Sequence, residues 1–328
     1  MARFPNLVDM AQSLGPDGQV AAVAEILSQT NEMLADVTFI EGNLPTGHRS
    51  VVRTGLPTVT WRKFYGGVQP DKSTRAQITD SCGMVEAYAE IDKALADLNG
   101  NTAAYRAQEA TAFLESMSQE LQTKILYGNV FAEPETFLGM SPRYNDKSAQ
   151  NADNIIDAGG IGTDNASIWL ICWSPTTIHG IVPKGSTAGI KMQDLGEVTV
   201  ENADGNGGRM QAYRTHFRMD AGIVVRDWRY GVRICNIDKS LLTADLSTGA
   251  NLPDLMFQAV ERLPSLNGNY AFYMSRDVRT KYRQQLATIT KNSTLSTVDV
   301  GGVKSMAFQD EIPIRRVDKL AADEARVV

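Results

Sequence analysis

The chain has 328 residues, 43 % of them hydrophobic and 21 % charged, enough to bury a sizeable core in one large domain or two. Its 38 Asp and Glu against 32 Lys and Arg leave a formal net charge of −6, which argues against a protein held mainly by nucleic-acid phosphates but leaves room for a local basic patch. Three cysteines far apart in sequence, Cys82, Cys172 and Cys235, with no CxxC pair, fit neither a zinc site nor a disulfide framework, and a reducing compartment is the simplest setting.

The opening MARFPNLVDM lacks the apolar core of a secretory signal, and no run approaches the ~20 apolar residues of a membrane span. Synthesis in the cytoplasm is therefore expected. Residues 5–35 carry a broken helical pattern. Leu7, Val8, Met10 and Ala11 precede a Gly-Pro-Asp-Gly turn, and Val20, Val23, Ile26 and Leu27 recur at helical spacing after it. This reads as an arm and not as a domain.

Thr38-Phe39-Ile40 is short and β-like. Ser50–Thr54 and Thr58–Phe64 then alternate and are rich in Val, Thr and aromatics, with Gly55-Leu56-Pro57 between them and Arg75–Asp80 beyond. The pattern predicts an extended β-hairpin. His48, Arg49, Arg53, Arg62, Lys63, Lys72 and Arg75 are basic, and Asp71 is the only acid between Glu41 and Asp80. A two-stranded hairpin is marginal alone in water, so a second surface is expected to steady it, either nucleic acid or an acidic face of another subunit. The plainer alternative is a solvated hairpin on its own domain.

Met84–Leu98 reads as strand then helix. From Asn101 to Gly128, Ala103, Ala107, Ala110, Leu114, Met117, Leu121 and Ile125 recur at spacings of four and three, widened by Phe113 and Leu126. That predicts one amphipathic helix over 102–127, roughly 39 Å long. Asn101 or Thr102 would cap its start, and Gly128 in a left-handed conformation would stop it.

Ser167–Trp173 predicts a buried strand by its continuous apolar run. Ser174-Pro175 predicts a helix start, with a short helix from Thr176 through His179 to Pro183. Val198–Val200 and Met210–Phe217 flank a Gly-rich turn at Asp204–Gly208. Ala221–Asp238 is strand-like, and Leu252–Leu263 is an amphipathic helix with Pro253 near its start. Asn269–Met274 is a strand followed by a Ser275 cap and a helix over Asp277–Leu286. At the end, Phe308, Ile312, Ile314 and Val317 mark a strand, and Pro313 argues for an edge or a kink.

The catalytic inventory is nearly empty. Asp157–Gly162 is not GxGxxG and does not sit between a strand and a helix; GxxxxGKS/T and GxSxG are missing. His48, His179 and His216 are scattered, with no HExxH. Cys82 has no histidine positioned by motif. No catalytic, cofactor-binding or metal residue is assigned.

The element order resembles that of the major capsid proteins of tailed double-stranded DNA bacteriophages, of the Hong Kong 97-type fold. The resemblance is carried by EGNLPTGHRSVVRTGLPTVTWRKF at 41–64, by SCGMVEAYAEIDKALADLNGN leading into the long helix, and by the late strand Ile312–Asp318. It implies an α+β fold with an N-terminal arm over 1–40 and an extended β-hairpin loop over 41–82. A peripheral domain over 83–150 would hold the spine helix 102–127. An axial domain would come in two parts, 151–217 and 241–299, with a peripheral-domain strand return over 218–240 and a C-terminal peripheral-domain strand over 300–328.

The function so implied is a structural subunit without a cofactor that self-assembles into pentamers and hexamers, forming the icosahedral shell around packaged DNA. Further implied partners are a separate scaffolding protein, a portal and a cement or decoration protein, with no membrane. Arg49, Arg53, Arg62, Lys63, Lys72 and Arg75 become candidate intersubunit contacts. Two other readings stay open: an α/β enzyme with its site near Ser174 and Ser275, and another virion component such as a tube or decoration protein.

Overall fold

The computed structural model describes residues 32–97, 100, 102–201, 207–244, 246–265, 268–289, 295–300, 303–308, 312–321 and 323–328. The helical pattern expected before residue 32, and most of the turn expected at Asp204–Gly208, lie outside the described residues. The strands in chain order are β1 (Phe39–Glu41), β2 (Gly47–Gly55), β3 (Thr74–Asp92), β4 (Ile155–Asp157), β5 (Asn165–Cys172), β6 (Ile178–Val182), β7 (Lys191–Glu201), β8 (Arg209–Val225), β9 (Gly231–Asp238), β10 (Tyr270–Met274), β11 (Leu295–Val300), β12 (Val303–Phe308) and β13 (Ile312–Arg316). The longer helices are α1 (Thr102–Tyr127), α2 (Leu252–Glu261) and α3 (Arg276–Ile289). The chain divides into two units. One is built from Thr30–Gly83, Thr123–Thr187 and Ala221–Val328, the other from Met84–Gln122 and Ala188–Asp220.

The apolar run around Ile168 becomes an interior strand of the first unit. All eight residues of β5 are buried, as are all eight of β9 and all five of β10. They belong to a seven-stranded sheet of order β11-β12-β13-β10-β5-β9-β4. Pairing is mixed: β5 runs antiparallel to both β9 and β10, while β4 on β9 and β13 on β10 are parallel. Side chains alternate across a strand, so Ile168, Leu170 and Cys172 share one core with Val232, Ile234, Phe272 and Ile314. Leu252, Met256 and Ala259 of α2 and Val278, Tyr282 and Leu286 of α3 cover that face. Asn251 caps α2 at the Asp254 N–H, with proline in its first turn, and Ser275 caps α3 at Val278. Strands β9 and β13, from 218–240 and 300–328, thus share a sheet with β5 and β10.

In the second unit, β7 and β8 form an antiparallel pair from Lys191↔Arg218 to Glu201↔Arg209. Tyr105 of α1 is buried with Ile91 and Ala96, and Phe113 stacks on Phe217 at 5.5 Å. The predicted helix is confirmed from end to end, and its predicted stripe holds in the C-terminal half but not in the N-terminal half. Met117, Leu121 and Ile125 are buried, whereas Ala103 and Ala107 are exposed. The covered row is buried Tyr105, half-buried Phe113, and buried Met117, Leu121 and Ile125, all in register on a four-residue spacing. Such a row inclines across the helix axis by about 26°, and the mixed 3–4 stripe runs off it toward the N-terminus. The large aromatics, not the alanines, set which face is covered.

Four further expectations are corrected. Gly128 does end α1, but not with a positive φ. Its amide donates to the Lys124 carbonyl at 2.9 Å, and a Cβ there would sit 2.5 Å from the Phe137 carbonyl oxygen, so close backbone approach is what selects glycine. The helix predicted from Thr176 is strand β6. Ser174 still turns the chain, accepting from Thr176 N–H at 3.3 Å, but Ile178, Ile181 and Val182 are β-branched, and their strand pairs with β8 through Ile178 and Ile181 and with β1 through Ile181 and Val182. Pro313 lies inside the sheet, because β13 is flanked by β12 and β10. The hairpin's second strand is β3, and Thr58–Phe64 is not a strand at all. The Gly-rich stretch at 157–162 packs on β9, where Gly160 donates to Asn236 O at 2.9 Å. No helix among the described residues is long and apolar enough to cross a membrane.

Candidate assembly surface

The hairpin pairs Gly47↔Ser81 through Arg53↔Arg75 and Gly55↔Thr74, with a bulge between Arg53 and Gly55. Its base is fixed. Asp80 is buried and accepts from Arg143 Nη2 at 2.7 Å, and the same nitrogen donates to the Leu138 and Ile223 carbonyls at 3.1 and 3.3 Å. Asn43 bonds both backbone groups of Arg49 at 2.7 Å.

Beyond Gly55 and up to Thr74 the chain makes no strand. It is held by local bonds instead. Asp71 accepts from the backbone N–H groups of Thr58 and Lys72 at 2.6 and 2.7 Å, and these bonds hold its carboxyl below the usual range. Arg62 Nε reaches the Gly66 carbonyl at 2.9 Å. Leu56, Val59, Trp61, Phe64 and Tyr65 all face solvent, Trp61 completely. Thr58–Phe64 has the composition of a strand but finds no partner strand among the described residues.

All six predicted basic residues are exposed. The structure brings Arg53 and Arg75 directly opposite each other, and it places Arg62, Lys63 and Lys72 on the tip. Arg49 donates to Thr79 Oγ1 at 3.3 Å. None of the six makes an ion pair among the described residues. Like charges directly opposed across a strand pair are destabilising. Contiguous exposed apolar side chains on a monomer mark an interaction surface. The hairpin combines both, with the opposed arginines at the end of its strand pair and the apolar side chains beyond it.

The interior of the same unit handles charge differently. Arg233 and Glu324 are buried and paired at 2.8 Å. Arg233 also donates to Ser167 Oγ at 3.1 Å and the Tyr144 carbonyl at 2.8 Å, and its guanidinium lies 5.2 Å from the Trp169 ring centre. Tyr127 donates to the other Glu324 oxygen at 2.5 Å, and burial beside this carboxylate pushes its phenol well up. His48 and His179 meet edge-on at 5.9 Å. Burial first, then His48 and Arg226, lower His179 to about 4. Burial raises Cys235 to about 11, which keeps it a protonated thiol. Among the described residues no three His, Cys, Asp or Glu side chains are placed to hold a metal ion. Ser174 and Ser275 serve turns and caps.

Sequence reasoning missed the apolar half of this surface by placing Val59 and Trp61 in a strand. It also missed Arg143–Asp80 and Arg233–Glu324, which join residues 63 and 91 apart and leave no local signal.

A family model described as major capsid protein GP7 matches residues 15–328. No curated protein matches the chain. Among solved structures, a chain from bacteriophage Epsilon15 is 32 % identical with a TM-score of 0.79, covering 99 % of this chain and 97 % of that one. A chain from the bacteriophage JBD30 capsid is 8 % identical, with a TM-score of 0.50 over 91 % of this chain and 95 % of that one, a likeness of fold alone. The chain belongs to the GP7 family of major capsid proteins: it is a structural protein of a bacteriophage capsid shell, and its place is the virion.

Proposed function

We propose that the chain builds its shell as pentamers and hexamers of a Hong Kong 97-type subunit, closing an icosahedral particle around packaged double-stranded DNA. The single observation that carries this reading is the hairpin: a fixed base, and a tip whose apolar side chains face solvent and whose basic side chains make no ion pair among the described residues. A closed shell needs heterologous contacts repeated around local axes, and a hairpin laid over the next subunit supplies one. Trp61 and its neighbours would bury apolar area there. Arg49, Arg53, Arg62, Lys63, Lys72 and Arg75 would meet carboxylates of the next copy. In this scheme α1 is the spine of the peripheral domain, the seven-stranded sheet with α2 and α3 is the axial domain, and residues 1–40 form the arm. A separate scaffolding protein, a portal and a decoration protein are the further partners proposed.

Electron microscopy of the purified full chain, alone and with its scaffold, tests this. Rings of five and six or closed shells are expected, and their loss is expected in Trp61→Ser. Helical tubes, or a stable monomer under every condition, would overturn it.

A further inference from the structure

A cleft of about 640 Å³ lies beside the hairpin arm. Arg53, Thr54 and Leu56 form one wall, and Arg226, Trp228 and Arg229, from the turn after β8, form the other. Arg229 is held by Asp227 through two bonds of 2.9 and 2.7 Å. Arg226 spends one N–H on the Pro175 carbonyl at 3.1 Å, and neither it nor Arg53 makes an ion pair among the described residues. The cleft is therefore lined by three guanidinium groups and one carboxylate, together with an indole and a leucine. Its complement is a rigid segment bearing carboxylates next to an aromatic ring, since Arg pairs with the first and Trp228 packs on the second.

The chain carries such a segment in the turn after α1. Phe131 is 86 % exposed and is followed by Glu133 and Glu135, which are also exposed. The turn is braced from within. Asn129 accepts from the Phe131 N–H at 3.0 Å through its side chain, and from Ala132 and Glu133 at 3.1 and 2.9 Å through its carbonyl. Thr136 donates to the Glu133 carbonyl at 2.9 Å. Glu133 is shared with Lys124, while Glu135 makes no ion pair among the described residues. A braced turn loses little freedom on docking.

We infer that the Arg53–Arg226–Arg229 cleft of one subunit receives the Phe131–Glu135 turn of a second copy of this chain. This rests on the reading that the hairpin side of the subunit is buried between copies. It adds a named contact: Glu135 on Arg226 and Arg53, and Phe131 on Trp228 and Leu56. The contact is heterologous, cleft to turn, so it repeats around a ring and need not be self-complementary. A nucleic-acid backbone is the other anion such a cleft could take, and the acids and ring of the turn would then be irrelevant.

The test is a charge swap in the full chain. Arg226→Glu and Glu135→Arg are each expected to slow shell assembly, followed by light scattering, at least about tenfold, and the double variant to recover most of the rate. All the side chains are exposed, so thermal melting should stay unchanged. Independently, Thr54→Cys with Phe131→Cys should give a disulfide-linked ladder from oxidised particles on a denaturing gel. Wild-type assembly of both single variants, a double variant as slow as the singles combined, or no ladder would each overturn the inference. So would loss of affinity for a short DNA duplex in Arg226→Glu with no effect of Glu135→Arg on assembly. Trp61→Ser separates the two readings. If it blocks assembly while the cleft variants assemble normally, only the cleft contact fails; if it too assembles normally, the hairpin reading fails.

Discussion

Arg233, on strand β9 of the seven-stranded sheet, ends on Ser167, Glu324 and the Tyr144 carbonyl, whereas Arg53, on the hairpin, faces Arg75 across the strand pair and has no ion-pair partner among the described residues. Both side chains leave β-strands of the same unit. The buried one is satisfied completely because an unpaired interior charge costs several kcal/mol. The exposed one sits in an arrangement that costs the isolated chain a few tenths of a kcal/mol or more. A fold keeps such an arrangement when carboxylates come from elsewhere, and a shell protein meets its neighbours at every position of the lattice. Satisfied charge thus marks what holds the subunit, and on the proposed reading the hairpin's unsatisfied charge is what the next copy would meet.

The comparison breaks first at the buried pair. Glu324→Ala leaves Arg233 charged and buried without its carboxylate, and should cost about 3–5 kcal/mol in urea unfolding of the purified chain. Arg233→Met with Glu324→Leu should recover most of that loss, because two apolar groups need no partners. If Glu324→Ala were as stable as the parent, the pair would not be holding the interior.

The next effect is on α1. Ile125→Ala and Leu121→Ala should each cost about 2–5 kcal/mol, since both side chains are buried. Leu114→Ala, at a half-buried position, should cost less. Ala107→Leu should stay within about 0.5 kcal/mol, as an exposed change. An equal loss at all four would restore the stripe first read from the sequence.

That stripe shows how far a sequence reaches. The helix was legible to its last residue because 26 residues without glycine or proline, ending at Gly128, leave little else to form. Strands β5, β9 and β10 were legible because apolar runs bounded by turns are buried strands in most contexts. Which face of α1 is covered was not legible. That depends on the angle at which the helix crosses what it packs on, which tertiary contacts decide. Ser174-Pro175 read as a helix start because capping rules are local, yet Ile178 and Val182 found strand partners at β1 and β8, and pairing overrode the local preference. The basic half of the hairpin surface was legible from composition alone. Its apolar half was hidden because Thr58–Phe64 has a strand's composition and only a partner could make it one.

A smaller effect is tied to acid. His179 is neutral when folded, its value lowered to about 4 by burial, His48 and Arg226, while the unfolded chain takes a proton near 6.5. Between these values the unfolded state binds more protons. This group therefore contributes stability above about pH 6.5 that is lost as pH falls toward 4, on the order of 1–3 kcal/mol. His179→Leu should flatten the urea midpoint between pH 7 and pH 4.5 relative to the parent. An unchanged slope would mean that the imidazole is already protonated in the fold.

The smallest effect on the subunit belongs to the tip. Arg62→Ala with Lys63→Ala removes two exposed charges, one of which bonds only a nearby carbonyl, so melting should shift by no more than about 0.5 kcal/mol. Assembly should nevertheless slow, because the carboxylates proposed to meet these cations on the next copy would lose their counter-charges. The parent's assembly should weaken with added salt, and the variant's should weaken less, since surface charges act through a field that salt screens over about 8 Å at physiological strength. Trp61→Ser removes apolar area instead and should slow assembly at every salt concentration. If the charge variant lost salt dependence while keeping the parent's rate, the cations would be steering the encounter without holding the contact, and the aromatics would carry the interface alone.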